Sequence, residues 1–247
     1  MNLLRIIPNL FTLANLFCGI LAVNYVVLNN FEKAALFVVI AIGFDFFDGF
    51  LARIFGVQGD FGKQLDSLAD MVTSGVVPGL VMYYLLYLNI LPTLSDEDVT
   101  VSLGRIEYDA GFLPYVGLLL SLGACYRLAT FNLDTHQSKS FSGLPTPAMC
   151  LFVISLPLIQ IYSHNETVLS LLKNNYFLIG VTLVFSLLMN IPLKLMALKF
   201  SNFSIRDNFM KYLLILSSVV LLIWLRYTAI PIIIVLYIGL SLFAKND

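Results

Sequence analysis

Asp45-Phe46-Phe47-Asp48-Gly49-Phe50-Leu51-Ala52-Arg53, followed after a short break by Gly62-Lys63-Gln64-Leu65-Asp66-Ser67-Leu68-Ala69-Asp70, is the stretch on which both the fold and the chemistry of this chain turn. Apolar runs flank it, residues 34–44 before and 71–90 after. Four carboxylates therefore stand at the ends of two apolar segments. A charge in the middle of a membrane helix costs about 2.5–3.5 kcal/mol, so acids in such segments mark function. The cost falls when they lie near the interface and share a cation.

The spacing says which function. At about 100° per residue, Asp45, Asp48, Gly49 and Ala52 fall within an arc of about 100° on one helix. Two acids share that face with two very small residues, which would let a bulky ligand approach the backbone. Asp66 and Asp70 are a turn apart on the next helix, with Gly62 a turn before them. A short turn over residues 56–60 would make the helices antiparallel neighbours, with the acid pairs facing each other across one crevice. Clustered carboxylate oxygens suit Mg²⁺, Mn²⁺ or Ca²⁺, and two such ions can clamp a phosphoryl or pyrophosphate group. Scattered interfacial acids, neutralised or salt-bridged, are the bland alternative; four at these spacings, with small residues on the same faces, disfavour it.

Composition sets the setting. Of 247 residues, 59% are hydrophobic and only 12% charged, with mean hydropathy +0.90; soluble domains carry about 25% charged residues. The expected fold is an all-α, polytopic transmembrane bundle forming one domain over residues 1–247, without a cleavable leader. About eight spans are expected, near residues 8–28, 31–55, 61–88, 111–133, 144–162, 175–197, 209–225 and 228–244, with the last two expected to be peripheral to the core. Residues 92–110 form a polar excursion, and 134–143, 163–174 and 198–208 are connections. Ten of the 14 basic residues (Arg5, Arg53, Lys63, Arg127, Lys139, Lys194, Lys199, Arg206, Lys211 and Lys245) then fall on one side, which predicts both termini and the acidic motif at the cytoplasmic face of the cell membrane. No basic tract or motif points to nucleic acid. Cys18, Cys125 and Cys150 lack metal-ligand spacing and read as small core residues. His136 and His164 read as loop histidines, and Trp224, Tyr83, Tyr84, Tyr87 and Tyr227 as interfacial belt residues.

The motif resembles the signature of the CDP-alcohol phosphatidyltransferase family, with all eight signature positions present over 26 residues. The resemblance implies that Asp45, Asp48, Asp66 and Asp70 hold two divalent ions, Mg²⁺ or Mn²⁺, against the pyrophosphate of a CDP-linked lipid. It further implies that Asp70 is the general base, that Gly49, Ala52 and Arg53 flank the CDP moiety, and that the protein is a homodimer.

Four segments narrow the acceptor alcohol: 7–13 (Ile-Pro-Asn-Leu-Phe-Thr-Leu), 62–70, 127–132 (Arg-Leu-Ala-Thr-Phe-Asn) and 141–148 (Phe-Ser-Gly-Leu-Pro-Thr-Pro-Ala). They are similar to bacterial integral-membrane phosphatidylserine synthases, which implies transfer of a phosphatidyl group from CDP-diacylglycerol to L-serine with release of CMP. Thr130 stands where many relatives carry Arg, which leaves Arg127 as the main cation there. A serine carboxylate wants a guanidinium, so Arg127 and Asn132 are candidate serine contacts. Read blandly, Arg127 is an interfacial anchor and Asn132 a helix-end residue. Two rivals stay open. One is the same chemistry on glycerol 3-phosphate or an inositol compound, which would want a denser basic cluster. The other is a cation-coupled transporter, whose site would lie in broken helices near the midplane.

Overall fold

The computed structural model describes residues 3–93, 99–102, 105–108, 110–133, 141–196 and 208–243. Helices dominate: α1 Leu3–Val27, α2 Phe31–Ile54, α3 Asp60–Asp70, α4 Val77–Ile90, α5 Leu119–Leu133, α6 Thr146–Tyr162, α7 Glu166–Leu172, α8 Asn175–Asn190, α9 Phe209–Leu225 and α10 Ala229–Phe243. By length and composition, five helical stretches among the described residues can cross a membrane: Leu4–Val27, Phe31–Ile54, Asp60–Ile90, Leu113–Leu133 and Phe209–Leu242. The α7–α8 pair, bent by 70°, makes up to a sixth, and Thr146–Tyr162 is apolar but shorter. The chain is a polytopic membrane protein.

Local chemistry explains the helix ends. Asn29 closes α1 in the left-handed region (φ 55°), with Asn29 N–H donating to the Val26 carbonyl at 2.9 Å and Asn30 N–H to the Tyr25 carbonyl at 2.8 Å. The Asn30 side chain then caps α2 by accepting from Lys33 N–H at 3.1 Å. Pro8 lies inside α1, so this helix starts earlier than expected; near a helix N-terminus the missing N–H disrupts little.

Other departures have equally local causes. The connection over 163–174 contains α7, capped by Asn165 Oδ1, which accepts from Thr167 N–H at 3.0 Å and Val168 N–H at 3.3 Å. α8 stops at Asn190, short of the expected end near residue 197, because Pro192 forces Ile191 into extended backbone (ψ 139°). A 3₁₀ segment at Leu113–Leu118, with Pro114 at its start, leads into α5. The all-α class holds, with two short antiparallel ladders as local additions. β1 (Val99–Ser102) pairs with β2 (Arg105–Tyr108), where apolar and polar residues alternate; β3 (Phe141–Ser142) pairs with β4 (Lys194–Leu195). Phe209–Leu242 is one apolar run, but Arg226 breaks it in the left-handed region (φ 48°), and α9 and α10 pack side by side as a hairpin. Cys18 and Cys150 are buried as expected, but Cys125 is exposed; in a membrane a small apolar thiol meets lipid there as readily as core. His164 and Trp224 are exposed. His136, Lys139, Lys199, Arg206 and Lys245 lie outside the described residues.

One span carries the site. Asp60–Ile90 runs 31 residues, but α3 and α4 are joined by a π-helical segment, Met71–Val76, beginning directly after Asp70. Val77 N–H reaches back to the Val72 carbonyl, and Pro78 has no N–H to offer. Neighbouring helices complete the loosened carbonyls: Cys150 Sγ donates to Thr73 O at 3.4 Å and Ser121 Oγ to Gly75 O at 2.9 Å. Helix interruptions of this kind occur where neighbours re-satisfy the backbone, and π segments frequently mark functional sites.

α2 and α3 are not the close neighbours expected from the short turn. α1 packs extensively on α2 and also on α3 and the π segment, while α2 and α3 meet each other only sparsely. The crevice between them is therefore floored by α1. Behind it the core joins Ala22 and Val26 of α1, Ala34 and Val38 of α2, Val81 and Leu85 of α4, and Met149 and Val153 of α6.

Candidate active site

The first half of the acidic stretch ends α2, and the second half forms α3. Gly56 (φ 61°) lets the chain turn between them, with Gly56 N–H donating to the Arg53 carbonyl at 3.2 Å and Val57 N–H to the Ala52 carbonyl at 3.1 Å. Asp45, Asp48 and Asp66 converge so that ligand oxygens from all three lie within 4.8 Å of one another. Asp70 joins them, its carboxyl and that of Asp66 both within hydrogen-bonding reach of Asp45. Bare carboxylates this close repel unless protons or a cation lie between them.

The donor set fits a divalent cation. It is all oxygen, anionic and partly shielded. One oxygen, Asp66 Oδ1, is buried with no hydrogen-bond partner among the described residues. Asp45, Asp48 and Asp66 could thus hold a metal ion.

Two side chains of α1 grip the cluster. Thr12 Oγ1 donates to Asp48 Oδ2 at 2.6 Å, and Asn15 Nδ2 donates to Asp70 Oδ1 at 3.3 Å. Beside them opens a cavity of about 950 Å³ lined by Asp48, Gly49, Ala52 and Arg53 of α2, by Gly62, Lys63 and Asp66 of α3, and by Arg5, Asn9 and Thr12 of α1. A volume of this order suits a nucleotide-sized ligand. A side chain at Gly49 would project into open space, its nearest neighbour being Arg53 Nη2 at 4.0 Å. Arg53 is steadied by its own backbone, with Nε donating to Gly49 O at 2.9 Å.

On the α5 side, Arg127 is 9% exposed, and its Nε has no partner among the described residues. Its guanidinium lies 6.0 Å from the Phe131 ring and within electrostatic reach of Asp70 and Tyr237. Burial of this depth does not suit an interfacial anchor. Asn132 is engaged with α3: its carbonyl accepts from Lys63 Nζ at 2.8 Å, its Oδ1 accepts from Ser67 Oγ at 3.0 Å, and its Nδ2 donates to Gln64 Oε1 at 3.4 Å. Thr130 turns back on its own helix, donating to the Tyr126 carbonyl at 2.9 Å.

The four aspartates thus come together, Gly49, Ala52 and Arg53 line the adjoining cavity, and Arg127 stands beside Asp70 but outside that lining. The model of the family described as CDP-alcohol phosphatidyltransferase matches residues 5–188, which contain every one of these side chains.

The chain belongs to the CDP-alcohol phosphatidyltransferase family.

Among relatives of this phosphatidyltransferase, the CDP-diacylglycerol–serine O-phosphatidyltransferase of Bacillus subtilis is 32% identical over 171 residues, covering 67% of this chain and 80% of that one. The enzyme of the same name from Helicobacter pylori J99 is 33% identical over 165 residues, covering 66% of this chain and 62% of that one. An archaetidylserine synthase of Methanothermobacter thermautotrophicus is 30% identical over 165 residues, covering 64% and 60%.

The sequence of this phosphatidyltransferase did not single out Thr12 and Asn15, which the structure sets against Asp48 and Asp70. The signal was present: Asn9, Thr12 and Asn15 recur every three residues along a mostly apolar helix, and polar groups in such helices are rarely idle. Which carboxylate each would meet depended on the placement of α1.

Proposed function

We propose that the chain is a CDP-diacylglycerol–serine O-phosphatidyltransferase, moving a phosphatidyl group from CDP-diacylglycerol to L-serine and releasing CMP. The observation that carries the reading is the convergence of Asp45, Asp48, Asp66 and Asp70 on one side of a cavity of about 950 Å³. The relatives' names supply the acceptor: serine is common to the bacterial and archaeal enzymes, whereas the lipid differs.

In this reading Asp45, Asp48, Asp66 and Asp70 hold a pair of Mg²⁺ or Mn²⁺ ions. Bound there, the ions neutralise the pyrophosphate and make its phosphorus more electrophilic. Gly49 and Ala52 leave room for the nucleotide, and Arg53 offers its remaining guanidinium N–H groups to phosphate. Asp70 accepts the proton of the serine hydroxyl as the serine oxygen bonds to the lipid-bearing phosphorus and the bond from that phosphorus to the oxygen of CMP breaks. Arg127 pairs with the serine carboxylate; its burial and unpartnered Nε support that role. Asn132 serves the serine side through its three bonds to α3.

The same reading completes the topology at eight spans, counting α6, the bent α7–α8 pair, and α9 and α10 separately. Both termini and the site then face the cytoplasm, where CDP-activated lipid and serine meet, and two copies pair as a homodimer. The decisive experiment offers purified protein CDP-diacylglycerol with a panel of alcohols and measures CMP release. Serine should be strongly preferred; glycerol 3-phosphate or an inositol compound as the preferred acceptor would overturn the assignment. Cysteine-accessibility mapping of Arg53→Cys and Lys173→Cys should label them from opposite sides.

A further inference from the structure

We infer that α1 is a brace for the reaction, with Thr12 and Asn15 as positioning residues that set the two halves of the acidic cluster relative to each other. The inference rests on the reading of Asp48 as metal ligand and Asp70 as base. Asp48 and Asp70 sit on helices that touch only sparsely, whereas α1 packs against both. Thr12 and Asn15 are three residues apart, hence on one face of α1, and each holds one of these acids.

The bonds are directional. The Thr12 hydroxyl has one proton and two acceptors within range, the Pro8 carbonyl at 3.2 Å and Asp48 Oδ2 at 2.6 Å. The shorter bond to the charged acceptor takes it, which leaves Asp48 Oδ1 for a cation. At Asn15, an amide oxygen cannot face a carboxylate oxygen, so the NH₂ group faces Asp70 Oδ1. That bond fixes the carboxyl plane and leaves the second Asp70 oxygen to take the proton.

Stability argues for the same role. Asn15 is fully buried, and its own Oδ1 has no partner among the described residues. A half-satisfied amide in an apolar helix is worse for packing than a leucine of similar size. Packing therefore does not account for Asn15, whereas holding Asp70 does.

The test uses full-length protein in detergent micelles with CDP-diacylglycerol, serine and titrated Mn²⁺. Asn15→Leu should lower kcat by about ten- to hundredfold at saturating metal, the loss expected for a hydrogen bond to a charged group. The KM for CDP-diacylglycerol and the melting temperature should not fall. Thr12→Val should raise the Mn²⁺ concentration for half-maximal activity about tenfold or more, and Thr12→Ser, which keeps the hydroxyl, should restore it. The brace is overturned if Asn15→Leu and Thr12→Val leave kcat and metal requirement at wild-type values, or if Thr12→Ser behaves like Thr12→Val. If Asn15→Leu does not fold, the Thr12 pair decides. Asp70→Asn separates this from the underlying reading. Near-normal turnover in that variant removes Asp70 as base, and the Thr12 pair then decides the brace. A large loss in Asp70→Asn without one in Asn15→Leu removes Asn15 from it.

Discussion

Arg127, Gly49 and Asp70 lie in or beside the acidic crevice, and the proposed reaction gives each of them one separable role. A guanidinium this deeply buried would be destabilising without an anionic partner. Asp70 lies within its field, and the serine carboxylate would be the second anion. Arg127→Ala is therefore expected to raise the KM for serine more than that for CDP-diacylglycerol; equal changes, measured by varying each substrate in turn, would return Arg127 to a purely structural role. Gly49 borders the cavity with open space above its Cα. Gly49→Leu should fill that space and weaken CDP-diacylglycerol binding while the protein melts normally, as titration calorimetry and a thermal scan would show. Asp70→Asn keeps the volume but removes the carboxylate proposed as base, so kcat should fall by about 10² to 10⁴. Binding of CDP-diacylglycerol in the presence of metal should persist; if binding and single-turnover rate fall together, Asp70 acts chiefly as a ligand.

Elements matter here through how closely they approach. α1 can floor the crevice because Gly19 lets it lie against the π segment: any Cβ at Gly19 would run into the Thr73 side chain and crowd its backbone. Thr73 is itself fixed, donating to the Ala69 carbonyl at 3.1 Å. Gly19→Val is thus expected to push α1 away, destabilising the protein by about 1–3 kcal/mol as overpacking does. Because α1 carries Thr12 and Asn15, the metal requirement should rise in parallel. A variant with unchanged melting temperature and unchanged Mn²⁺ dependence would show that the helix pair has slack. This closeness was not legible beforehand. The periodicity of α1 marked it as a span but did not say that it would pack on both halves of the motif; the acid pairs face each other as expected, but α2 and α3 themselves meet only sparsely.

The whole molecule is a membrane bundle whose polar chemistry is gathered at one end of α1, α2 and α3. The C-terminal hairpin is tied to it: α10 packs on α6, and Tyr237 is buried, donates to the Met196 carbonyl at 3.1 Å and lies within electrostatic reach of Arg127. At this scale the cluster predicts an absolute need for metal, because four converging carboxylates cannot hold a pyrophosphate unaided. EDTA should abolish CMP release, and Mg²⁺ or Mn²⁺ should restore it. Full turnover in metal-free buffer would sink the two-ion proposal.

The membrane setting and the acidic motif were legible from residue order alone. Hydropathy over a window needs no knowledge of neighbours, and carboxylates at i, i+3 and i, i+4 spacing must share a helix face. Helix ends marked by Asn29–Asn30 and Gly56 were legible for the same local reason. That α1 packs on both α2 and α3, that Thr12 and Asn15 meet Asp48 and Asp70, and that Asn132 binds α3 came from the three-dimensional packing alone. Each of these pairs residues far apart in the chain, and an apolar helix presents no sequence signal for which of its neighbours it will touch. The π segment after Asp70 belongs with them. It depends on Ser121 and Cys150 arriving from other helices to take up carbonyls that a regular turn would have paired.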